Sequence, residues 1–400
     1  MIGVWGYGIS GRSVVRFLRA QNEPVLLLEA RELSQAEHAA LAELGVAVHV
    51  GTVEQFFERC TQVVLSPGID MRAYCAYRER CIAELDVFAR YWHKPIIAIT
   101  GSLGKTTVTT LIAGLLRAHG ERVALGGNIG VGVCDLLAQQ DASDVAVVEV
   151  SSFQLEHARM FAPTVAVWTN FHPNHLDRHG TIDAYWRAKM QVCARAQRIV
   201  VCPESAQLPV GLSVEELPTT TFISNWITVC AALQAWGISD DRIALLVRDA
   251  GKKQAMPAYR LQQVTSVPVP VFNDSKSTVS QATLAAVQEL AQRGHRSQIL
   301  LLGGLSKGVN REPLIQALAA TGVIKEVVCF GAEAQQLYAW CVKFLLPASF
   351  HMTLEEAISV SIARAHAGDC ILFSPAGASY DLFTDYQERG ARFNEWIAAL

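Results

Sequence analysis

The run Ile96-Ile97-Ala98-Ile99-Thr100-Gly101-Ser102-Leu103-Gly104-Lys105-Thr106-Thr107 constrains this chain more than any other stretch. A short β-branched segment ends in a glycine turn and opens directly into the helical pattern Val108–His119, which makes a strand, loop and helix unit. The backbone N–H groups of such a loop converge on one point, and the helix N-terminus adds partial positive charge there. Lys105 reaches a terminal phosphate, and Thr106 or Thr107 supplies a hydroxyl for Mg²⁺. Ile99 stands where the common pattern has its first glycine, so the spacing is Gly-x-x-Gly-Lys-Thr, a shortened phosphate loop.

A chain of 400 residues exceeds the size at which single cores stop growing, about 250–300 residues, so more than one domain is expected. Hydrophobic residues make up 51% and charged residues 18%, enough to bury sizeable cores. A formal net charge of −3 argues against a broad nucleic-acid footprint. The ten cysteines form no CxxC pair, and several, such as Cys329, sit in apolar strand-like runs. Buried, reduced thiols and a cytoplasmic location are expected. The N-terminus lacks a basic leader, and no apolar run approaches the roughly 18 residues of a spanning helix. A soluble protein with no membrane partner is therefore expected.

Three alternating blocks follow. In the first, the strand Ile2–Trp5 leads into Gly6-Tyr7-Gly8-Ile9-Ser10-Gly11 and a helix to about Ala20, and the next strand, Pro24–Leu28, ends at Glu29. A GxGxxG turn with an acidic residue after the second strand would by itself suggest a nicotinamide dinucleotide, but it requires only a nucleotide phosphate or sugar. Further strands are expected at Val46–Val50 and Val63–Leu65, the latter ending in Ser66-Pro67-Gly68-Ile69.

The second block starts near Lys94-Pro95 and carries the phosphate loop, then Gly126-Gly127-Asn128-Ile129-Gly130 and the strand Val145–Val150. Glu149, a carboxylate ending an apolar strand, is costly to bury unless a cation or hydrogen bonds meet it, which makes it a natural Mg²⁺ ligand. A strand at Thr164–Trp168 precedes Asn170-Phe171-His172-Pro173-Asn174-His175-Leu176-Asp177-Arg178-His179-Gly180. The three histidines lack a nearby thiol and the i, i+4 spacing of HExxH sites, so zinc is disfavoured and one histidine beside a magnesium site is preferred. Tyr185 and Lys189 share a helix face, and periodicity alone makes Lys189 an ordinary solvated lysine. In the third block, strands are expected at Val269–Phe272, Ser297–Leu302, Val323–Phe330 and Asp369–Phe373, with a helix at Ser280–Arg293. Polar loops recur at the strand C-terminal ends, where open parallel sheets bind ligands.

Taken in order, GYGISGRS, SPGI, the phosphate loop, GGNIG, EVSSFQLE, N-x4-H-x-D-R-H-G, Y-x3-K, NDSK, GGLSKG, SPAGAS-x-D and Arg389-Gly390 resemble the motifs of the Mur ligases over almost the whole chain. NDSK and the SPAGAS-x-D segment resemble the D-glutamate-adding members most. The resemblance implies three α/β domains, two Rossmann-like parallel-sheet domains flanking a central P-loop ATPase-type domain, with boundaries placed at 1–93, 94–256 and 257–400. It implies a monomeric enzyme that uses ATP and two Mg²⁺ ions to join D-glutamate to UDP-N-acetylmuramoyl-L-alanine through an acyl phosphate, for peptidoglycan precursor synthesis.

Carried over by position, the resemblance puts Gly8, Ile9, Ser10, Glu29, Arg31 and Ser66 near the uridine diphosphate. Asn128, Ser151, Gln154 and His175 fall around the muramoyl-alanine end or the metals. Gly101, Ser102, Gly104, Lys105, Thr106, Thr107, Asn225, Arg260, Asp274 and Lys276 serve ATP. Thr106, Glu149, His175 and a carbamylated Lys189 serve Mg²⁺, with Lys105, His175 and Lys189 as the catalytic set and His175 as a candidate base. Thr278, Lys307, Ser379, Tyr380 and Tyr386 bind D-glutamate.

The chain departs from the pattern at Leu103, Ser224, Thr228, Tyr259, Val279, Gly377 and Tyr386, and the segment between Lys189 and Asn225 is short. Ser224 and Thr228 put adenine recognition in question. Alternatives are an amide ligase of the same superfamily with another amino acid or acceptor, a nicotinamide oxidoreductase, and a non-catalytic UDP-sugar-binding protein.

Overall fold

The computed structural model describes residues 1–201, 208–218, 221–251, 258–264, 269–306 and 308–399. It is built on three sheets. The first contains β1 (Ile2–Trp5), β2 (Val25–Leu28), β3 (Ala47–Val48), β4 (Gln62–Leu65) and β5 (Cys81–Ala83), in the order β3-β2-β1-β4-β5, all parallel. The order reverses between β1 and β4, and the loops after these two strands meet: Ser66 Oγ donates to the Gly6 carbonyl at 2.9 Å. A ligand crevice in a doubly wound sheet falls at such a reversal.

The second sheet contains β6 (Ile96–Thr100), β7 (Val123–Gly127), β8 (Val145–Glu149), β9 (Val165–Trp168) and β10 (Arg198–Val201), in the order β10-β9-β6-β8-β7, again all parallel. Ile97, Ala98, Ile99, Val147, Val148, Ala166 and Val167 are fully buried, as expected for parallel strands covered on both faces. The register sets Ile99 beside Glu149 and Thr100 beside Trp168, so the ends of three strands surround the start of the phosphate loop.

The third sheet contains β11 (Gln262–Val264), β12 (Val271–Asn273), β13 (Gln298–Gly303), β14 (Ile324–Phe330), β15 (Ala348–His351) and β16 (Cys370–Phe373), in the order β11-β12-β16-β13-β14-β15. Among the described residues its β11–β12 pair is antiparallel and its other strand pairs are parallel.

The chain divides into two compact units, Met1–Pro218 with Ser224–Gln254, and Thr219–Ile223 with Ala255–Leu400. Within the first unit the two sheets share one apolar cluster that includes Val4, Phe88, Val133, Leu136 and Phe161. Polar contacts fix the same junction. Arg16 pairs with Asp135 at 2.7 Å, and Ser13 Oγ accepts from the Asp135 N–H at 2.8 Å.

Several expectations for the elements change. The strand expected at Val46–Val50 is only Ala47–Val48, and Val50 is 92% exposed beyond it. The strands β5, β7, β10, β11 and β15 were not anticipated. In β7, Gly126-Gly127 continues the strand: Gly127 pairs with Glu149, and a Cβ on Gly127 would lie 2.2 Å from the Glu149 carbonyl oxygen. No helix among the described residues is long and apolar enough to cross a membrane.

Candidate active site

The phosphate loop is held open by backbone that only glycine tolerates. Gly101 has φ +146° and Gly104 has φ +78°, and Gly104 starts the helix Lys105–His119. A Cβ on Gly101 would sit 2.0 Å from Thr169 Oγ1, and one on Gly104 would sit 2.5 Å from Asn225 Oδ1. The stretch after β9 supports the loop from below. Asn170 Oδ1 accepts from the Leu103 N–H at 2.8 Å, Thr169 Oγ1 donates to the Leu103 carbonyl at 2.6 Å, and Ser102 Oγ is bonded to both backbone groups of His172 at 2.9 Å. Leu103, which departs from the family's pattern, is thus held through its main chain, a contact that any side chain permits.

Lys105 Nζ donates to the carbonyls of Gly101 and Ser102 at 3.0 and 3.1 Å. Of the two threonines, Thr107 is buried and Thr106 half-buried, so Thr106 keeps the accessible hydroxyl. Asn225 is buried against Gly104.

Lys189 is not a solvated lysine. It lies on the helix Ile182–Met190, is 2% exposed, donates to the Gly101 carbonyl at 2.8 Å and sits over the Tyr185 ring, 4.9 Å from its centroid. Burial and the neighbouring Lys105 push its amine down from 10.5 to about 6, with Glu149 opposing. Tyr185 shares the face, as the spacing predicted, and its hydroxyl is 3.0 Å from Ser102 Oγ.

Glu149 is 2% exposed, accepts from Asn128 Nδ2 at 2.9 Å through Oε1, and leaves Oε2 buried without a hydrogen-bond partner. A buried carboxylate oxygen in that state suits a hard cation, which prefers oxygen ligands. Glu149 and Thr106 offer oxygen donors of the type that such an ion takes, and His175 offers a ring nitrogen. Among the described residues no three His, Cys, Asp or Glu side chains form a ready-made cluster, as a magnesium site relying on one or two protein ligands would not require.

His175 is exposed at φ +53°, with its ring 4.9 Å from Phe153. His179 Nε2 is 3.0 Å from Ser152 Oγ, and burial lowers the pKa of His172. His175 and His179 both pack on Phe153 and Tyr185, with ring centroids 4.9 and 5.3 Å from Phe153 and 6.3 and 5.3 Å from Tyr185.

In the first sheet's crevice, a Cβ on Gly11 would lie 1.9 Å from the Gly6 carbonyl oxygen, which explains that glycine of the turn. Gly8 and Ile9 are exposed and Ser10 is half-buried. Glu29 takes the Tyr7 N–H at 2.5 Å and those of Ala30 and Arg31 at 2.9 and 3.2 Å, so it braces the glycine turn with its own carboxylate. Arg31 is paired with Glu37 at 2.6 Å. Ser151 and Gln154 form a closed turn after β8, in which Gln154 Oε1 accepts from Ser151 N and Oγ at 2.9 and 3.0 Å.

In the second unit, Asp274 is fully enclosed at the end of β12. It accepts from Ser277 Oγ at 2.5 Å, Ser374 Oγ at 2.8 Å and the Leu261 N–H at 3.1 Å, and burial pushes it up to about 6 against those bonds and Arg260. Lys276 lies over the Tyr386 ring at 3.9 Å. Thr278 is half-buried, Ser379 buried and Tyr380 65% exposed. Arg389 is fully buried, donating to Ser275 O at 2.7 Å and Gly377 O at 3.0 Å. Lys307 lies outside the described residues.

The residues missed from sequence are those that support the loop: Thr169, the Asn170 amide and the Ser102–Tyr185 pair. A signal for Asn170 was present, since it opens the histidine motif. A hollow lined by Trp92, Lys94, Pro95, Met160 and Gln197 lies at the opposite end of β6 and contains none of the candidate residues.

A phosphate loop of this architecture marks a nucleotide-binding α/β protein, with one further sheet before it and one after it in the sequence. Family models match in order along the chain: the MurD-like N-terminal domain over residues 1–78, the Mur ligase middle domain over 99–214, and the Mur ligase glutamate ligase domain over 259–377. The chain belongs to the Mur ligase family. Within it, the chain is 33% identical to the UDP-N-acetylmuramoylalanine--D-glutamate ligase of Desulfotalea psychrophila, covering 99% of this chain and 95% of that protein. It is 30% identical to the protein of the same name from Legionella pneumophila, over 99% and 98%. In fold it is similar to the UDP-N-acetylmuramate-alanine ligase MurC of Thermotoga maritima, with a TM-score of 0.58 at 18% identity over 98% of both chains. It is also similar to E. coli FolC in complex with DHPP and ADP, with a TM-score of 0.58 at 15% identity over 84% of this chain and 99% of that one.

Proposed function

We propose that this protein is an ATP-dependent ligase that joins D-glutamate to UDP-N-acetylmuramoyl-L-alanine in the cytoplasm, as a monomer, during peptidoglycan precursor synthesis. The observation that carries the reading is the convergence of Lys105 and Lys189 on the Gly101 carbonyl, with Glu149 beside them ending in an unpartnered oxygen. Relatives named for this reaction, similar along the whole chain, supply the substrate class. The domains divide near residues 94 and 257.

A carboxylate is a poor acyl donor. In the proposed reaction its oxygen attacks the terminal phosphorus of ATP, the bond to ADP breaks, and an acyl phosphate forms. Lys105 neutralises the migrating phosphoryl oxygens, and the loop N–H groups hold the rest of the triphosphate. Thr106, Glu149, His175 and a carbamylated Lys189 would hold Mg²⁺, which would supply further charge neutralisation. The amine of D-glutamate then attacks the acyl carbon, phosphate leaves, and one amine proton passes to a base, for which His175 is the candidate when its ring nitrogen is off the metal.

Gly8, Ile9, Ser10, Glu29, Arg31 and Ser66 serve the uridine diphosphate, and Asn128, Ser151 and Gln154 the muramoyl end. Asn225, Arg260, Asp274 and Lys276 serve ATP, while Thr278, Lys307, Ser379, Tyr380 and Tyr386 serve D-glutamate. The test is ADP release measured with each substrate omitted in turn and with other amino acids offered. Release should require both substrates, favour D-glutamate, and vanish in Lys105→Ala; turnover that survives this substitution, or prefers another amino acid, rejects the reading.

A further inference from the structure

The helix that follows β5, Glu84–Tyr91, carries two buried carboxylates that are treated very differently. Asp86 is completely satisfied in the manner of a structural staple, accepting from the N–H groups of Arg159 and Met160 at 2.8 and 2.7 Å and from that of Ala83 at 3.3 Å. Glu84, two residues earlier, is 1% exposed: its Oε1 accepts from Gln154 Nε2 at 2.5 Å, while Oε2 is buried without a hydrogen-bond partner. Burying a carboxylate oxygen unpaired is expensive, and fold stability alone gives no return for it.

What Glu84 touches explains the arrangement. The Gln154 amide it holds is the one whose Oε1 takes both Ser151 N and Ser151 Oγ, two residues beyond Glu149. An ionised carboxylate can only accept, so in that state Glu84 takes the Nε2 side of the amide and leaves its carbonyl for Ser151. Burial pushes the Glu84 carboxyl up, while Gln154 and Ser10, in the first sheet's glycine turn, favour its ionised form.

We propose that Glu84 is a positioning residue for the UDP-sugar substrate, holding the Gln154–Ser151 turn of the second sheet in one arrangement. The inference rests on the functional reading above, which places Ser151 and Gln154 at that substrate. Glu84 acts through those residues.

The test is a double-mutant cycle on the full chain, in which Glu84→Ala and Glu84→Gln are each made alone and with Gln154→Ala, and KM is measured separately for UDP-N-acetylmuramoyl-L-alanine and for ATP. Glu84→Ala should raise KM for the UDP-sugar by about tenfold or more and leave KM for ATP within about twofold. Glu84→Gln, which preserves shape and one acceptor, should give a smaller rise of the same selectivity and keeps the cycle available should the alanine variant not fold. In the Gln154→Ala background neither substitution should add more than about twofold. Equal changes in both KM values, an unchanged UDP-sugar KM, or full additivity with Gln154→Ala overturns the role of Glu84. Calorimetry of the unaltered chain with the UDP-sugar separates the two levels, because absence of binding there removes the functional reading itself.

Discussion

Lys189 Nζ lies 2.8 Å from the Gly101 carbonyl oxygen, the same atom that accepts from Lys105 Nζ at 3.0 Å. Two amines on one acceptor, in a site where one of them is 2% exposed, cannot both stay charged cheaply, and the buried one gives up its proton, with its pKa near 6. A neutral lysine amine at neutral pH is a nucleophile. It can attack CO₂, form an N–C bond, lose a proton and become an anion.

The first prediction is therefore chemical. With ¹³C-labelled bicarbonate the chain should show one carbamate carbonyl resonance that is absent in Lys189→Met. Turnover should fall at least about 100-fold in that variant. A labelled resonance that persists in Lys189→Met would mean that a different amine carries the modification.

Glu149→Gln separates metal affinity from stability. The isosteric amide removes a buried negative charge whose Oε2 has no partner, so the metal-free protein should be as stable as the unaltered chain or more stable, by on the order of 1 kcal/mol. Mg²⁺-dependent turnover should drop steeply, and the Mg²⁺ concentration for half-maximal rate should rise. Thermal denaturation in chelator and a Mg²⁺ titration of ADP release check the two halves.

What was legible from sequence follows the range of each interaction. The loop Gly101–Lys105 was readable because its chemistry is written in consecutive residues, and Glu149 because an apolar strand ends on it. The long central strands β6, β8 and β13 were readable from continuous apolar runs. Edge strands such as β15, Ala-Ser-Phe-His, have no such pattern, and β7 ends in a glycine pair, a composition that strands ordinarily avoid, although close approach of the Glu149 carbonyl is what requires Gly127. The burial of Lys189 was not readable from helical periodicity because it depends on Tyr185, Gly101 and Thr100 meeting in space. Glu84 was invisible for the same reason, its partner Gln154 lying 70 residues away.

Two glycine substitutions distinguish steric exclusion from backbone strain. Gly101→Ala places a methyl 2.0 Å from Thr169 Oγ1, a group that already donates to Leu103 O, so the loop must deform. Calorimetric ATP affinity should fall at least about tenfold. Gly120→Ala has φ +117° but nothing within 4 Å of the new Cβ, so it should cost only about 1–2 kcal/mol of stability and leave ATP affinity unchanged. Equal losses of affinity in the two variants would contradict the steric argument.

Asp274 supplies the pH dependence of the second unit. Its folded-state pKa, about 6, lies above the ordinary 3.8 because burial outweighs the bonds from Ser277, Ser374 and Leu261 and the pull of Arg260. Between those two values the folded unit holds a proton that the unfolded chain has released. The contribution is therefore complete below about pH 4 and is lost as pH rises through about 6, a change on the order of 1–3 kcal/mol. Asp274→Asn cannot titrate and should lack this change. Hydrogen exchange of the peptide covering β12 (Val271–Asn273), compared between the two chains at each pH from 4 to 7, isolates the effect because intrinsic exchange cancels. Protection in the unaltered chain should decline relative to Asp274→Asn as pH increases across that window; a difference that runs the other way would mean that the hydroxyl and amide donors around Asp274 outweigh its burial.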